Sequence, residues 1–270
     1  MARKTFHPYE LYEASVIDPK NDLRTLERFY GGVFRKKPHF YREDFCGTFI
    51  HSVEWVKKSP RHRAWALDID PKPLHYGLKT HLPKLNPEQR RRLKVLKRDV
   101  LKGIDTKVDL VSAVNFSYWC FKKRSLMKRY FESVYRNLKR KGMLVMDMMG
   151  GITLQDSSMD RHKIDWGKGM PTLLYFWEQK HFDPLTQEAK FAIHYQVGKS
   201  KRKMKNVFRY DWRIWTPIEL QEILEEVGFS DSQIYWEGST RSGEGSGTYT
   251  RKEHAPTEDV WIAYLLAIKR

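Results

Sequence analysis

A repeated alternation of strand-like and helix-like segments between residues 39 and 149 limits the folds that this chain can adopt. Short apolar runs that end in polar residues are each followed by a run with apolar residues at helical spacing. This order is typical of an α/β fold in which a mostly parallel sheet carries helices on both faces. The strand-like runs are, in chain order, "HFYRED", "RAWALDID", "RLKVLKRDV", "VDLVSAVNF" and "MLVMDMM". Ligands of such sheets bind beyond the carboxyl ends of the strands, so the residues after each run are the candidates for function.

Helical spacing also predicts the helices that accompany this sheet. Residues 8–37 predict one or two helices ahead of the first strand, and residues 49–58 and 71–82 predict one helix each. Residues 124–142 predict a longer helix that Gly142 closes, because glycine is common just after the last helical turn.

The pattern changes after residues 150–151. Residues 171–213 alternate apolar and polar side chains in three runs separated by turns, which predicts an antiparallel meander. A helix with Thr216 as N-cap and Glu219 at the capping-box position follows, and two final strands form an antiparallel pair. The chain is therefore expected to consist of an N-terminal helical segment (1–37), a ligand-binding core (38–150), an inserted antiparallel lid or substrate region (151–215) and the completion of the core sheet (216–270).

Cysteine usage and apolar runs limit the cellular setting. The only cysteines are Cys46 and Cys120, so a disulfide framework is excluded and a reducing, cytoplasmic compartment is expected. The first residues contain no apolar signal segment, and the longest apolar run near the end, "VWIAYLLAI", is too short to cross a bilayer. We therefore expect no membrane partner, and the histidine and cysteine spacings predict no metal site.

The formal net charge of +17 suggests a polyanionic partner. Such a field attracts phosphate polymers. The basic residues are nevertheless scattered over several clusters, among them residues 199–205 ("KSKRKMK"), and no aromatic platform accompanies them. We therefore expect weak, salt-sensitive RNA binding without catalytic relevance, and RNA stays open as a partner of the basic surface.

Acidic residues follow the strand-like runs at informative positions. The first run ends at "REDFCGT", where Gly47 would allow a ligand to approach the backbone at a helix N-terminus. Asp68 follows about 20 residues later, the spacing at which an acid accepts hydrogen bonds from ribose hydroxyls. Asp70 is better explained as the N-cap of the next helix. Asp99 ends the third run, and Asn115 opens "NFSYW" after the fourth.

Taken in this order, the loop, the two acids and "NFSYW" resemble a class I S-adenosylmethionine-dependent methyltransferase. The resemblance covers about residues 40–150 and 216–268. The loop of that family reads acid-x-Gly-x-Gly-x-Gly, often as Glu-Leu-Gly-Cys-Gly-Thr-Gly. Glu43, Cys46, Gly47 and Thr48 match it, whereas Phe45 and Phe49 replace the outer glycines. The resemblance implies a Rossmann-like sheet, S-adenosylmethionine as cofactor and methyl transfer as the reaction.

The resemblance also implies a role for individual residues. Glu43 would hold the amino group of the cofactor, Asp68 its ribose and Asp99 its adenine amine. Asn115 and Phe116 would flank the sulfonium, and Asn115 is counted among the catalytic candidates. The other positions implied in cofactor binding are Phe45, Cys46, Gly47, Thr48, Ile69 and Val100.

The acceptor side is assigned from residue types alone. In the predicted meander, His194 is the candidate base, and Arg213 is a candidate clamp for a carboxylate or phosphate. Internal pairing of Arg213 with Asp211 or Asp147 is the structural alternative. The aromatic residues and the lid-like meander favour a small-molecule acceptor that can be anionic. The alternatives left open are an RNA or protein methyltransferase, a nicotinamide-dependent oxidoreductase and a non-catalytic binding protein.

Overall fold

The structure, a computed structural model, describes residues 6–198, 203–240 and 245–270. Residues 199–202 of the basic segment 199–205 therefore lie outside the described residues. The chain divides into two compact units, which are described separately. Unit 1 comprises Met1–Asp18 and Thr153–Ile214, and unit 2 comprises Pro19–Ile152 and Trp215–Arg270.

The described helices are α1 (Pro8–Val16), α2 (Pro19–Phe34), α3 (Ile50–Lys58), α4 (Pro71–Thr80), α5 (Pro87–Arg91), α6 (Arg124–Asn137) and α7 (Pro217–Val227). The described strands are β1 (Phe40–Asp44), β2 (Arg63–Asp68), β3 (Leu93–Lys97), β4 (Val108–Ala113), β5 (Leu138–Gly150), β6 (Ser158–Ile164), β7 (Leu173–Asp183), β8 (Glu188–Val197), β9 (Met204–Arg213), β10 (Asp231–Ser239), β11 (Gly245–Lys252) and β12 (Trp261–Lys269). Within these residues, no helix is long and apolar enough to cross a membrane.

Unit 2 is built on an eight-stranded sheet with the order β11-β10-β12-β5-β4-β1-β2-β3. The strands from β5 to β3 pair in parallel. Strand β12 is antiparallel to β5, and β10 is antiparallel to β12, so β10 runs in the direction of β5. Every residue of β4 is buried, as expected for a strand covered on both faces. The predicted α/β, Rossmann-like fold class is confirmed.

Unit 1 contains a separate antiparallel sheet with the order β6-β7-β8-β9. Its core includes Leu173, Ile193 and Tyr195, and Leu11 of α1 belongs to the same apolar cluster. The Ser15 hydroxyl lies 3.0 Å from the Tyr195 hydroxyl, which fixes α1 to β8. The inserted antiparallel meander is therefore confirmed, and the first helix packs against it.

Local signals at helix starts were read correctly from the sequence. The Asp70 side chain accepts a hydrogen bond from the Lys72 amide and is the N-cap of α4. Thr216 and Glu219 form the expected capping box at the start of α7. These signals need no tertiary contact, because each cap satisfies amides of its own first turn.

Three sequence expectations about element bounds were wrong. Helix α6 ends at Asn137 rather than at Gly142, because Leu138 is buried in the sheet and already pairs with Val108 of β4. Strand β6 was missed because its side chains are almost all exposed and show no apolar alternation. The C-terminal strands are three rather than two, since the exposed, glycine-containing β11 adds to β10.

Candidate functional site

The connection between β1 and α3 has a left-handed backbone at alternate residues. The φ angles of Phe45, Gly47 and Phe49 are 54°, 53° and 50°. Glycine adopts this region freely, whereas a side chain there is strained. The three positions at which similar loops carry glycine therefore keep a glycine-like backbone, although two of them are phenylalanine.

Packing around the two phenylalanines offsets this strain. The Phe49 ring is fully buried. It lies against Gly77 of α4, where an added Cβ would be 2.5 Å from the ring and 2.4 Å from the Thr48 carbonyl oxygen. Gly77 of α4 thus leaves the space that the Phe49 ring and the Thr48 carbonyl occupy. The ring centroid of Phe45 lies 5.7 Å from that of Phe121.

Gly47 and Asp68 meet at the carboxyl ends of β1 and β2. The Gly47 amide donates to Asp68 Oδ2 at 2.8 Å, and the Asp70 amide donates to Asp68 Oδ1 at 2.8 Å. Burial raises the pKa of the Asp68 carboxyl, and these two amides oppose the shift. Apart from Gly47 and its two neighbours in the chain, no heavy atom lies within 4 Å of the place where a Cβ of Gly47 would stand, so there is room for a ligand beside the backbone. Ile69 is 67% exposed next to this space.

Glu43, the last-but-one residue of β1, belongs to a buried chain of polar side chains. Its carboxylate accepts hydrogen bonds from the amide and hydroxyl of Ser52, and it lies 3.2 Å from Nδ1 of His51. His51 Nε2 lies 2.9 Å from the Asp22 carboxylate of α2. Burial alone would lower the pKa of His51, but the hydrogen bonds and charges of Asp22 and Glu43 raise it to about 10. A charged His51 therefore joins α2 to the start of α3.

The other face of β1 carries a buried guanidinium. Arg42 donates to Asp44 Oδ1 at 2.7 Å, to Asn137 Oδ1 at 2.5 Å and to the Val100 carbonyl at 2.9 Å. These bonds join the end of β1 to α6 and to the turn after β3. Asp99 caps that turn by accepting a hydrogen bond from the Leu101 amide at 2.9 Å. The position of Asp99 thus depends on Arg42.

The turn after β4 is held by a carboxylate from β5. Asp147 accepts hydrogen bonds from the amides of Asn115 and Phe116, at 2.7 and 2.9 Å. Both residues have left-handed φ angles, of 59° and 55°. Burial raises the pKa of Asp147 to about 7, and the two amides oppose that shift.

The strand ends converge on one region of unit 2. Because β3, β2, β1 and β4 are parallel neighbours, their carboxyl ends lie at the same end of the sheet. Burial, and then the carboxylates of Asp99 and Asp68, raise the pKa of Cys120 to about 12. Cys46 and Thr48 are buried within the loop itself. The structure thus brings together the cofactor candidates on β1 to β4, including Val100, whose carbonyl is held by Arg42.

The acceptor candidates in unit 1 have internal partners. His194 Nε2 lies 2.9 Å from Glu178, and Nδ1 accepts a hydrogen bond from the Asn206 amide at 2.8 Å. Since Nδ1 is an acceptor, the ring carries its proton on Nε2 and is neutral. Burial lowers the pKa of His194, and Glu178 opposes that shift. Arg213 is half-buried and lies opposite Glu188 in the β8–β9 pair.

Sequence reasoning missed two residues of this arrangement. His51 was expected only to lie within the helix of residues 49–58, and no local spacing links it to Asp22. Asp147 was considered only as an internal partner for Arg213. The available signal was a single acid within the otherwise apolar "MLVMDMM", since a buried carboxylate requires hydrogen-bond donors.

Comparisons with known proteins find no match by sequence and several by structure. No protein-family model matches the chain. No curated protein matches it either. An S-adenosylmethionine-dependent methyltransferase from Clostridium acetobutylicum superimposes with a TM-score of 0.63 at 17% identity, over 97% of this chain and 98% of that one.

Two further solved structures are similar over their whole length. The amino pentose methyltransferase of Micromonospora echinaspora, solved with S-adenosylmethionine bound, has a TM-score of 0.67 at 12% identity, over 98% of this chain and 99% of that one. The sugar N-methyltransferase of a Streptoalloteichus species has a TM-score of 0.65 at 14% identity, over 100% of this chain and 96% of that one. The chain therefore has the fold of these methyltransferases. No group of three or more potential metal ligands occurs among its described residues.

The contact between Gly77 and the loop predicts an unusual response to alanine. Alanine favours a helix by about 1 kcal/mol over glycine. At position 77, however, its Cβ would meet the Thr48 carbonyl at 2.4 Å. We expect Gly77→Ala to lower the free energy of unfolding, measured with urea, by about 1–3 kcal/mol, the usual cost of overpacking.

Gly32 in α2 is the matched control, because no heavy atom outside the nearby backbone of its own helix lies within 4 Å of its Cβ position. Gly32→Ala should raise the free energy of unfolding by about 0.5–1 kcal/mol. Equal stabilisation by both substitutions would show that the loop does not depend on the space left at Gly77.

The pKa of Asp147 predicts a stability change between pH 4 and 7. Its folded pKa of about 7 lies above the ordinary value of 3.8, so in this range the folded protein keeps a proton that the unfolded chain releases. The free energy of unfolding of the wild type, minus that of Asp147→Asn, should therefore fall by about 1.4 kcal/mol for each unit by which the pH rises from 4 to 7, and it should level off above pH 7.

Asp109 is a control of opposite sign. Its carboxylate also accepts two backbone hydrogen bonds, from the His39 and Phe40 amides. Burial would raise its pKa, but these amides and Lys139 lower it below the ordinary 3.8. The contribution of Asp109, measured against Asp109→Asn, should be complete above pH 4 and be lost as the pH falls further. If the free energy of unfolding of the wild type minus that of Asp147→Asn instead rises with pH, the raised pKa of Asp147 is contradicted.

Proposed function

We propose that this chain, which has the fold of S-adenosylmethionine-dependent methyltransferases, is an enzyme that transfers a methyl group from that cofactor to a small-molecule acceptor. The observation that carries the proposal is the turn at 45–49, which keeps a glycine-like path and leaves space beside Gly47. Asp68 stands at the edge of this space with both oxygens oriented by backbone amides. Space for a ligand next to an oriented carboxylate suits a nucleoside ribose.

Each strand end supplies one part of the cofactor site. Glu43 has three hydrogen-bonding partners, whereas a carboxylate has about four acceptor positions, so one position is left for the cofactor amino group. Asp68 takes the ribose hydroxyls, and exposed Ile69 supplies an apolar surface for the adenine. Asp99 uses one oxygen for its turn and offers the other to the adenine amine. Phe45, Cys46, Thr48 and Val100 shape the walls.

The chain's contribution to the reaction is alignment and the exclusion of water. When bound, S-adenosylmethionine supplies a methyl group on a positively charged sulfur, which an acceptor displaces in line. Asn115 and Phe116 are fixed by Asp147 in a turn after β4 and would flank that sulfur. The ring of Phe116 stacks on Trp119 at 5.3 Å, and aromatic rings favour a nearby cation.

A small acceptor is favoured over a polymer. Structurally similar enzymes act on an amino pentose and on a sugar nitrogen, so amino sugars are the first compounds to screen. Arg213 is proposed to bind an anionic group of the acceptor, and His194 to accept a proton. For that role His194 would use Nδ1, which now accepts from the Asn206 amide. RNA methylation is the second candidate, and the net charge of +17 is the observation that supports it.

The cofactor assignment predicts that the purified protein binds S-adenosylmethionine and its demethylated product at micromolar concentration. Asp68→Asn should weaken both by about 1–3 kcal/mol, since it removes a charged hydrogen-bond acceptor. Asp70→Asn keeps a good N-cap and should leave affinity unchanged. Calorimetry that finds tight NADH binding and no S-adenosylmethionine binding would reject the proposal.

The acceptor assignment predicts a specific effect of Arg213→Lys. Lysine keeps the charge but loses the planar fork that grips a carboxylate or phosphate. With an acceptor found by screening labelled methyl transfer to amino sugars and RNA, the variant should bind cofactor normally and show a raised KM for the acceptor. A loss of thermal stability with normal acceptor kinetics would assign Arg213 a purely structural role.

A further inference from the structure

A cavity in unit 2 lies away from the proposed cofactor site, at the opposite edge of the sheet. It has a volume of about 410 Å³ and is lined by Val33, Phe34, Arg140, Lys141 and Arg270. Lys141 lies near the start of β5, and Arg270 follows the end of β12, which pairs with β5 through Lys269 and Gly142. These are the amino-terminal ends of the parallel strands, whereas the loop at 45–49 follows their carboxyl ends. We call this cavity the basic cleft.

The rim of the basic cleft is cationic. Within the part of the chain that the structure describes, Arg140, Lys141 and Arg270 are exposed and form no ion pair. The Lys36 ammonium lies 6.0 Å from the centre of the Phe34 ring that lines the cleft. The pKa of nearby Lys269 is lowered, first by burial and then by the charge of Lys107, as expected where cations are crowded. Such a surface attracts anions.

The floor of the basic cleft is apolar and fixed to its rim. Phe34 packs against Tyr30 with ring centroids 4.8 Å apart. The Tyr30 hydroxyl donates to the Lys141 carbonyl at 2.8 Å, so the end of α2 is attached to the start of β5. The aromatic floor is therefore joined to the backbone of the rim.

We propose that the basic cleft binds single-stranded RNA, with phosphates against Arg140, Lys141 and Arg270 and a base against Phe34. A groove that combines cations with an aromatic surface is what binds single strands irrespective of sequence. Arg35 and Lys37, which follow Phe34 in the chain, are also exposed cations, and several cations in succession suit a polymer better than one nucleotide. The site is independent of the proposed methyl transfer, because it uses none of the cofactor candidates.

Other anionic partners fit the cleft less well. A membrane surface is usually bound through apolar side chains that insert between lipids. The large exposed apolar side chains among the described residues are Ile69, Leu78, Ile152, Met159, Leu185, Met204, Ile218, Val260 and Ile262, and none of them lines the cleft.

The test measures binding of a labelled oligouridine of about twelve nucleotides by fluorescence anisotropy over a range of salt concentrations. The cleft variant combines Arg140→Gln, Lys141→Gln and Arg270→Gln. The control removes the same charge from exposed residues elsewhere, with Lys72→Gln, Lys79→Gln and Lys84→Gln. The cleft variant should bind the oligouridine at least tenfold more weakly. The slope of the logarithm of its binding constant against the logarithm of the salt concentration should fall in magnitude by about two, at roughly 0.7 per lost phosphate contact.

Phe34→Leu tests the aromatic floor separately. It keeps an apolar side chain and all charges, so it should weaken binding about fivefold or more without changing the salt slope, because only stacking is lost. Thermal unfolding of each variant verifies that it is folded. Equal losses in the cleft and control variants would overturn the proposal in favour of a diffuse charge effect. If the cleft variant binds the oligouridine as well as the wild type does but no longer binds vesicles containing phosphatidylserine, the proposal is overturned in favour of a membrane surface.

Discussion

The buried guanidinium of Arg42 is the interaction on which the proposed cofactor site depends. It is fully excluded from solvent, and its donors go to Asp44, Asn137 and the Val100 carbonyl. A buried charge without partners is strongly destabilising, so the end of β1, the helix α6 and the turn after β3 have to meet around this side chain. The opposite face of β1 places Glu43 against a charged His51. One five-residue strand therefore positions most of the site.

Features determined by neighbouring residues could be predicted from the sequence, and features determined by distant contacts could not. The order of strands and helices, the Asp70 cap and the Thr216–Glu219 capping box follow from local spacing. The end of α6 depends on Leu138 pairing with Val108, about thirty residues earlier in the chain. The exposed strands β6 and β11 have no apolar pattern, because neither face of them is buried.

The candidate site shows the same division. The resemblance pointed to the acids Glu43, Asp68 and Asp99, because each lies at a strand end. It could not find the partners that orient them, since His51 meets Asp22 across 29 residues of sequence. Asp147 and Asp109 each accept two backbone amides, yet their pKa values shift in opposite directions. Burial dominates the pKa of Asp147, whereas the two amides and Lys139 dominate the pKa of Asp109.

The space left at Gly77 of α4 restricts the sequences that can adopt this loop. With any side chain at position 77, Phe49 could not occupy its present place, because the Cβ would lie 2.5 Å from the ring. The Thr48 carbonyl oxygen would lie 2.4 Å from that Cβ, so this backbone path requires glycine at position 77 whichever residue stands at 49. Sequence patterns that require three glycines in the loop overlook chains in which phenylalanine follows the same path.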